Sequence, residues 1–255
     1  MIPRLYTTAH LVSDGTCMLS KEQAHYLKNV LRREPGSEIR LFNSNDGEFA
    51  ATIAALSKTG ATANVGTCTR LSGHEPDLTL AFAPIKRGPT EFLIQKCVEL
   101  GVAAFVPVLT ARTNNERLRT DRLAAIAREA AEQCGRLSVP RIDEPIKLSS
   151  FIQRHGDAGA LIFCDEAGDD PSALWGGDHG RAAPMLDVLN GHDRLSRATI
   201  LIGPEGGFAP DERAMLRGVP NVLPVTLGPR ILRADTAAIA AVTLWQAALG
   251  DLAKT

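Results

Sequence analysis

Two patterns of apolar residues divide the chain. Over residues 1–72, short β-like pieces occur at 38–43, 48–56 and 61–68, separated by Pro35-Gly36, Asn45-Asp46-Gly47 and Thr59-Gly60. Runs of this length between turn formers predict strands, and the Asn-Asp-Gly stretch predicts a hairpin. One helix is predicted over 21–33. Ser20 followed by Gln23 fits a capping box, and Ala24, Leu27 and Leu31 share one face. These elements imply a small, mostly β barrel with an embedded helix.

Residues 71–77 read as a linker, and the pattern then changes. Apolar runs at 78–83, 104–109, 160–164, 199–202 and 222–227 predict strands buried on both faces. Helices are predicted between and after them. One spans 90–100 and stops at Gly101. Another spans 121–134, with Leu123, Ile126, Ala127, Ala130 and Cys134 on one stripe. A third spans 211–217 behind Pro210, and an alanine-rich helix spans 235–249 up to Gly250. Residues 165–197, rich in Gly and Asp, predict a long exposed connection holding one short helix near 184–190. Strand–helix alternation of this kind predicts an α/β domain with a mainly parallel sheet covered by helices.

Composition adds bounds rather than a function. The 255 residues suit two domains, here 1–72 and 73–255, and 22% charged with 44% hydrophobic residues is ordinary for a globular chain. A net charge of −1 leaves any affinity for nucleic acid to local clusters of Lys and Arg. The cysteines, Cys17, Cys68, Cys97, Cys134 and Cys164, are scattered, which predicts buried, reduced thiols and a cytoplasmic protein. No metal site is expected from the dispersed histidines. His155, His179 and His192 lie in loop-like sequence and read as solvated, whereas Trp175 and Trp245 read as packing residues. No apolar run approaches the ~20 residues of a membrane span.

Chemistry concentrates in two stretches. Ile202-Gly203-Pro204-Glu205-Gly206-Gly207-Phe208 joins a strand to a helix, and its glycines let backbone approach a ligand closely. It lacks the Gly-Lys-Ser/Thr ending of a P-loop and the spacing of a dinucleotide fingerprint. Leu227-Gly228-Pro229-Arg230-Ile231-Leu232-Arg233-Ala234-Asp235-Thr236-Ala237 leads from a strand into the last helix, where Asp235 or Thr236 is a candidate cap. Two arginines at a positive helix end run against the dipole preference. Two such Gly-Pro loops at strand ends belong where open α/β sheets bind ligands.

The paired loops resemble the signatures of the SPOUT class of methyltransferases, and in particular the RsmE family, the 16S ribosomal RNA uracil-N3 methyltransferases. His25 through Val30-Leu31-Arg32, Lys96 with Glu99-Leu100-Gly101-Val102, and Glu132-Gln133 with Arg136 and Pro140 are similar to further motifs of that family. The likeness spans nearly the whole chain. Asp235 departs from it, since the family more often has Glu there, one methylene longer.

The resemblance implies a trefoil-knotted catalytic domain, a smaller PUA-like barrel at the N-terminus, a homodimer, and S-adenosylmethionine as cofactor. The cofactor contacts it implies are Ile202, Gly203, Pro204, Gly206, Leu227, Gly228, Ile231, Leu232, Thr236 and Ala237. The catalytic candidates are Arg233, Arg230, Glu205 and Asp235. The RNA-binding candidates are Arg4, His25, Lys28, Arg32, Arg33, Lys86, Arg87, Arg112 and Arg136. Each has a plainer alternative: Lys96 and Glu99 form an intrahelical ion pair, and Arg136 satisfies carbonyls at a helix end. The expected activity is methyl transfer to N3 of a uridine in 16S ribosomal RNA of the small subunit. The alternatives are methylation of another RNA (a ribose 2′-oxygen or transfer RNA) and a non-catalytic RNA-binding protein with a degenerate pocket.

Overall fold

The computed structural model describes residues 2–113, 118–156, 159–165, 182–192 and 197–252. The chain divides into two compact units. One runs to His74 and takes in Arg128–Val139; the other holds Glu75–Ala127 and continues from Pro140.

The first unit contains β1 (Arg4–Tyr6), β2 (Thr16–Leu19), α1 (Lys21–His25), β3 (Glu38–Asn43), β4 (Gly47–Leu56) and β5 (Ala61–Arg70). The strands form a five-stranded half-barrel in the order β1-β3-β4-β5-β2, parallel only between β1 and β3. The expected hairpin is present, with Asn43 opposite Gly47 at its mouth. Its turn is tied by the Asn43 side chain, which accepts from the backbone N–H of Asn45 and Asp46.

The capping box at Ser20 and Gln23 forms as expected, with bonds of 3.2 and 3.0 Å. The helix does not continue as one α-helix to Arg33. It is α-helical to His25 and then makes a π-helical turn over Tyr26–Val30, where Leu31 N–H reaches the carbonyl of Tyr26. Arg32 ends it at φ +53, because Glu34 precedes Pro35 and a helical backbone is disfavoured there. Ala24 and Leu27 still enter the core, with Leu31 packed against it. β1 and β2 escape prediction. β2 buries Cys17 and Leu19, but its outward Met18 is 80% exposed and apolar, so no alternation is visible in the sequence.

Arg4 is the polar centre of this unit. Its Nε pairs with Glu48 at 2.6 Å, its Nη groups donate to the carbonyls of Ala131, Glu132 and Arg136, and the guanidinium lies 4.3 Å from the Phe42 ring centre.

The second unit contains β6 (Asp77–Phe82), α2 (Arg87–Glu99), β7 (Ala104–Leu109), α3 (Thr120–Cys134, shared with the first unit), β8 (Arg141–Ile142), β9 (Ile146–Lys147), α4 (Leu148–His155), β10 (Ala160–Cys164), β11 (Ala183–Pro184), α5 (Met185–Asn190), β12 (Arg197–Ile202), α6 (Pro210–Arg217), β13 (Val222–Thr226) and α7 (Ala234–Ala248). The sheet order is β11-β13-β10-β12-β6-β7-β8, with β9 also on β7, and every described pairing is parallel. Alternate residues of the central strands face opposite layers. Ala81, Leu161, Phe163 and Leu201 pack with Leu148 and Phe151 of α4 and Leu216 of α6. On the other face α7 packs against α2, α5 and β12. Trp245 of α7 is fully buried, as expected of a packing residue, whereas Trp175 and His179 lie outside the described residues.

Two expectations are corrected, and one helix was missed. His155 is not solvated: it ends α4, stacks 5.9 Å from Phe151, and burial pushes its pKa down. α4 itself was not foreseen, because its N-cap, Lys147, provides no side-chain cap. Cys68 and Cys134 are exposed, since the far end of β5 projects beyond the core and the buried stripe of α3 runs through Leu123, Ala127, Ala130 and Ala131 instead.

Glu132, whose carboxylate accepts the N–H of Tyr6 at 3.0 Å, is half-buried, and its partial removal from water raises its pKa above the usual carboxylate value. A carboxyl raised in this way binds its proton more firmly in the folded chain. Its contribution therefore erodes stability as pH rises from the unfolded value through the raised one. Glu132→Gln keeps the acceptor for Tyr6 and removes the ionisation. Denaturant unfolding is expected to show the variant more stable than the parent at neutral pH, with the difference shrinking toward pH ~4.

Candidate cofactor-binding site

The order of the last strands positions the site. β12 and β13 follow each other in sequence, yet β10 lies between them. The chain must cross β10 between them, and this crossing lies in the region where the knot is expected. The loops that follow β12 and β13 thus open on either side of Cys164 and Asp165, at the carboxyl end of β10.

A cavity of about 230 Å³ lies there. From the first loop it is lined by 202–208, from the second by Ile231 and Leu232, and from the start of α7 by Ala234 and Ala237. Of the expected cofactor contacts, Ile202, Gly203, Pro204, Gly206, Ile231, Leu232 and Ala237 meet at this cavity, as does Glu205. Leu227, Gly228 and Thr236 do not line it. Gly228 is required instead for its backbone, at φ +115. Gly203 has a packing reason as well: a Cβ there would lie 2.7 Å from the Phe208 ring, which stacks edge-on against Phe163. Gly207, at φ +69, closes the turn by donating to the carbonyl of Pro204.

Neither Asp235 nor Thr236 is the N-cap of α7. That position is Arg233, whose side chain makes no capping bond. Asp235 sits in the first turn, where its carboxylate accepts the N–H of Thr236 at 2.7 Å. Arg230 and Arg233 are both exposed.

Gly207, Phe208 and Ala234 of the two loop stretches also line the cavity, and so do Cys164, Asp165 and Arg213, which were not foreseen. Asp165 is 2% exposed at its side chain and binds two arginines of α6. Arg213 donates to it twice, at 2.8 and 3.0 Å, and Arg217 twice, at 3.0 and 2.7 Å. The signal for this cluster was the spacing of Arg213 and Arg217, four apart on one helix face. Its acidic partner is remote in sequence and so invisible.

Glu212, one residue earlier, is buried and uses both carboxylate oxygens on backbone. One accepts the N–H of Ala209 at 3.0 Å and the other the N–H of Ala111 at 2.7 Å. Arg112, beside Ala111, donates to the carbonyl of Gly206 at 2.7 Å.

The other basic candidates differ in availability. His25, Lys28, Arg32 and Lys86 are exposed. Arg87 pairs with Glu91 at 2.8 Å. Arg33 and Arg136 are half-buried and partnered, Arg136 donating to Ser138. Arg4 is spent on the contacts within the first unit. Lys96 and Glu99 form the intrahelical pair, at 2.9 Å.

A parallel sheet covered on both faces, with glycine loops converging at a crossover of its carboxyl ends, defines an α/β ligand-binding domain. Residues 73–246 match the model of the RNA methyltransferase domain, and 19–66 match that of the RNA methyltransferase PUA domain. A ribosomal RNA small subunit methyltransferase E of Synechocystis is 31% identical over 93% of this chain and 75% of its own. A methyltransferase of Legionella pneumophila solved with bound SAM superposes with a TM-score of 0.83, at 29% identity over 98% of this chain and 99% of that one. The small subunit methyltransferase E of Neisseria gonorrhoeae bound to S-adenosylmethionine gives 0.80, at 28% identity over 98% and 99%. The chain belongs to the RNA methyltransferase family, in the group of the ribosomal RNA small subunit methyltransferases E.

Removing the buried carboxylate takes away the four hydrogen bonds it accepts from Arg213 and Arg217. Asp165→Ala is expected to cost about 3–5 kcal/mol in denaturant unfolding. Glu205→Ala, on the exposed rim, is expected to leave the midpoint unchanged.

Proposed function

We propose that this protein transfers a methyl group from S-adenosylmethionine to N3 of a uridine in 16S ribosomal RNA of the small subunit. The observation that carries the reading is the cavity at the end of β10. Its walls suit the cofactor: Ile202, Phe208, Ile231 and Leu232 offer apolar faces for the adenine, and the glycine loop offers backbone polar groups. Asp165, held in its ion pair with Arg213, gives the cavity a polar floor. Here Ile202, Gly203, Pro204, Gly206, Leu232 and Ala237 hold the cofactor, while Leu227, Gly228 and Thr236 shape the second loop and the turn of α7.

S-adenosylmethionine, when bound, supplies a methyl group made electrophilic by its sulfonium. The chain's own residues deal with the uracil. Its N3 carries a weakly acidic proton, and as this leaves, negative charge spreads to the flanking carbonyl oxygens. In this reading Arg233, exposed at the start of α7 and next in sequence to the cavity-lining Leu232 and Ala234, stabilises that charge, and Arg230 is the second candidate. Glu205, on the cavity rim, receives the proton in preference to Asp235, which is engaged with the backbone of Thr236. The loops fix N3 against the methyl carbon and exclude water.

The two domains, 1–72 and 73–255, divide the work. The helical segment carrying His25 and Lys28, with Arg32 in the turn just after it, docks RNA by its phosphates, giving affinity without reading sequence. The enzyme acts as a homodimer in the cytoplasm, and light scattering at micromolar concentration tests its mass.

Nucleoside mass spectrometry of ribosomal RNA from cells with and without the protein is expected to show N3-methyluridine only when it is present. A methyl group on ribose would overturn the reaction class. Arg233→Ala is expected to lower the single-turnover rate by about 100-fold or more, as for loss of one oxyanion donor, with cofactor affinity nearly unchanged.

A further inference from the structure

The loop after β7 is fastened to the glycine loop after β12 at two points. Glu212 joins Ala111 to Ala209 through its two carboxylate oxygens, and Arg112 donates one Nη1 bond to the carbonyl of Gly206. The Arg112 stem also lies along Gly206, where an added Cβ would meet its Cδ at 3.6 Å and its Cβ at 3.8 Å. Among the described residues no carboxylate pairs with Arg112, and the residue is exposed. A guanidinium has five N–H donors in a rigid fork that matches phosphate. One is committed to the cofactor loop, and the side chain that carries the others is exposed.

From this we infer that Arg112 is a positioning residue that couples RNA binding to the cofactor loop. One edge of its guanidinium holds the Gly206 carbonyl, and another takes an RNA phosphate near the target uridine. A phosphate on Arg112 thereby favours the loop conformation that surrounds the cofactor, and a filled cofactor site presents Arg112 to the phosphate. Linkage makes the effect reciprocal: whatever factor the cofactor adds to RNA affinity, RNA adds to cofactor affinity. Glu212 supports the device by holding the backbone of Ala111, so that the arm carrying Arg112 does not swing away. The inference rests on the methyltransferase reading of the same cavity.

The probes are S-adenosylhomocysteine and small ribosomal subunits from cells lacking the protein. RNA affinity is measured with and without saturating S-adenosylhomocysteine for the parent, Arg112→Ala and Arg112→Lys. The parent is expected to bind the subunits at least about 5-fold more tightly when the cofactor product is present, the lower end of ordinary coupling. In Arg112→Ala that ratio is expected to fall to about one, while S-adenosylhomocysteine alone binds within about 3-fold of the parent, because its own contacts remain. Arg112→Lys, which keeps the charge but not the fork, is expected to recover part of the RNA affinity and little of the ratio. A variant that merely loosens the loop would instead lose affinity for S-adenosylhomocysteine alone. That result overturns the inference, as does a ratio in Arg112→Ala equal to the parent's or a parent with no coupling. Failure of the methyltransferase reading shows separately, as a parent that transfers no methyl group to these subunits.

Discussion

The crossing of the chain over β10 is the constraint on which the site depends. Because β10 separates β12 from β13, two loops that follow different strands open at one place, with the end of β10 as their floor. Parallel strands require connections that leave the sheet and return. Here the connection from β12 through α6 to β13 begins in a glycine-rich turn, and a second such turn leads from β13 into α7. Gly207 and Gly228 adopt backbone conformations that other residues seldom take, so the loops can bend tightly at the strand ends.

Two buried carboxylates then set the position of α6, and with it the first loop. Asp165 binds Arg213 and Arg217 from the end of β10, while Glu212 binds backbone N–H groups on both its flanks. Isolated charges could not be kept in this environment. Each carboxylate is retained because its oxygens meet donors held in place by secondary structure. Phe208, wedged against Phe163 and over Gly203, supplies the apolar counterpart. A pocket with apolar walls and a polar floor is therefore formed by the fold itself.

The first unit uses the same economy with a different residue. Arg4 gathers Glu48, three carbonyls at the end of α3 and the Phe42 ring around one guanidinium. An arginine that looked available for RNA is thereby consumed, whereas Lys28 and, in the turn just after it, Arg32 stay exposed on a helical segment whose opposite face fills the half-barrel core.

The sequence by itself determined most of the elements, because their signals are local. Turn formers bounded β3, β4 and β5, apolar runs marked β6, β7, β10, β12 and β13, and a capping box opened α1. It also placed the two glycine loops at strand ends, and seven of the ten residues named there line one cavity. Tertiary structure alone decided which polar groups meet. Asp165 stands 48 residues from Arg213, Ala111 stands 101 from Glu212, and Arg112 stands 94 from Gly206. No period or spacing encodes such pairs. The burial of His155, the exposure of Cys68 and Cys134, and the half-hidden state of Arg33 and Arg136 are of the same kind. Each depends on what another part of the chain lays against the residue, and that is settled only when the strands take their order.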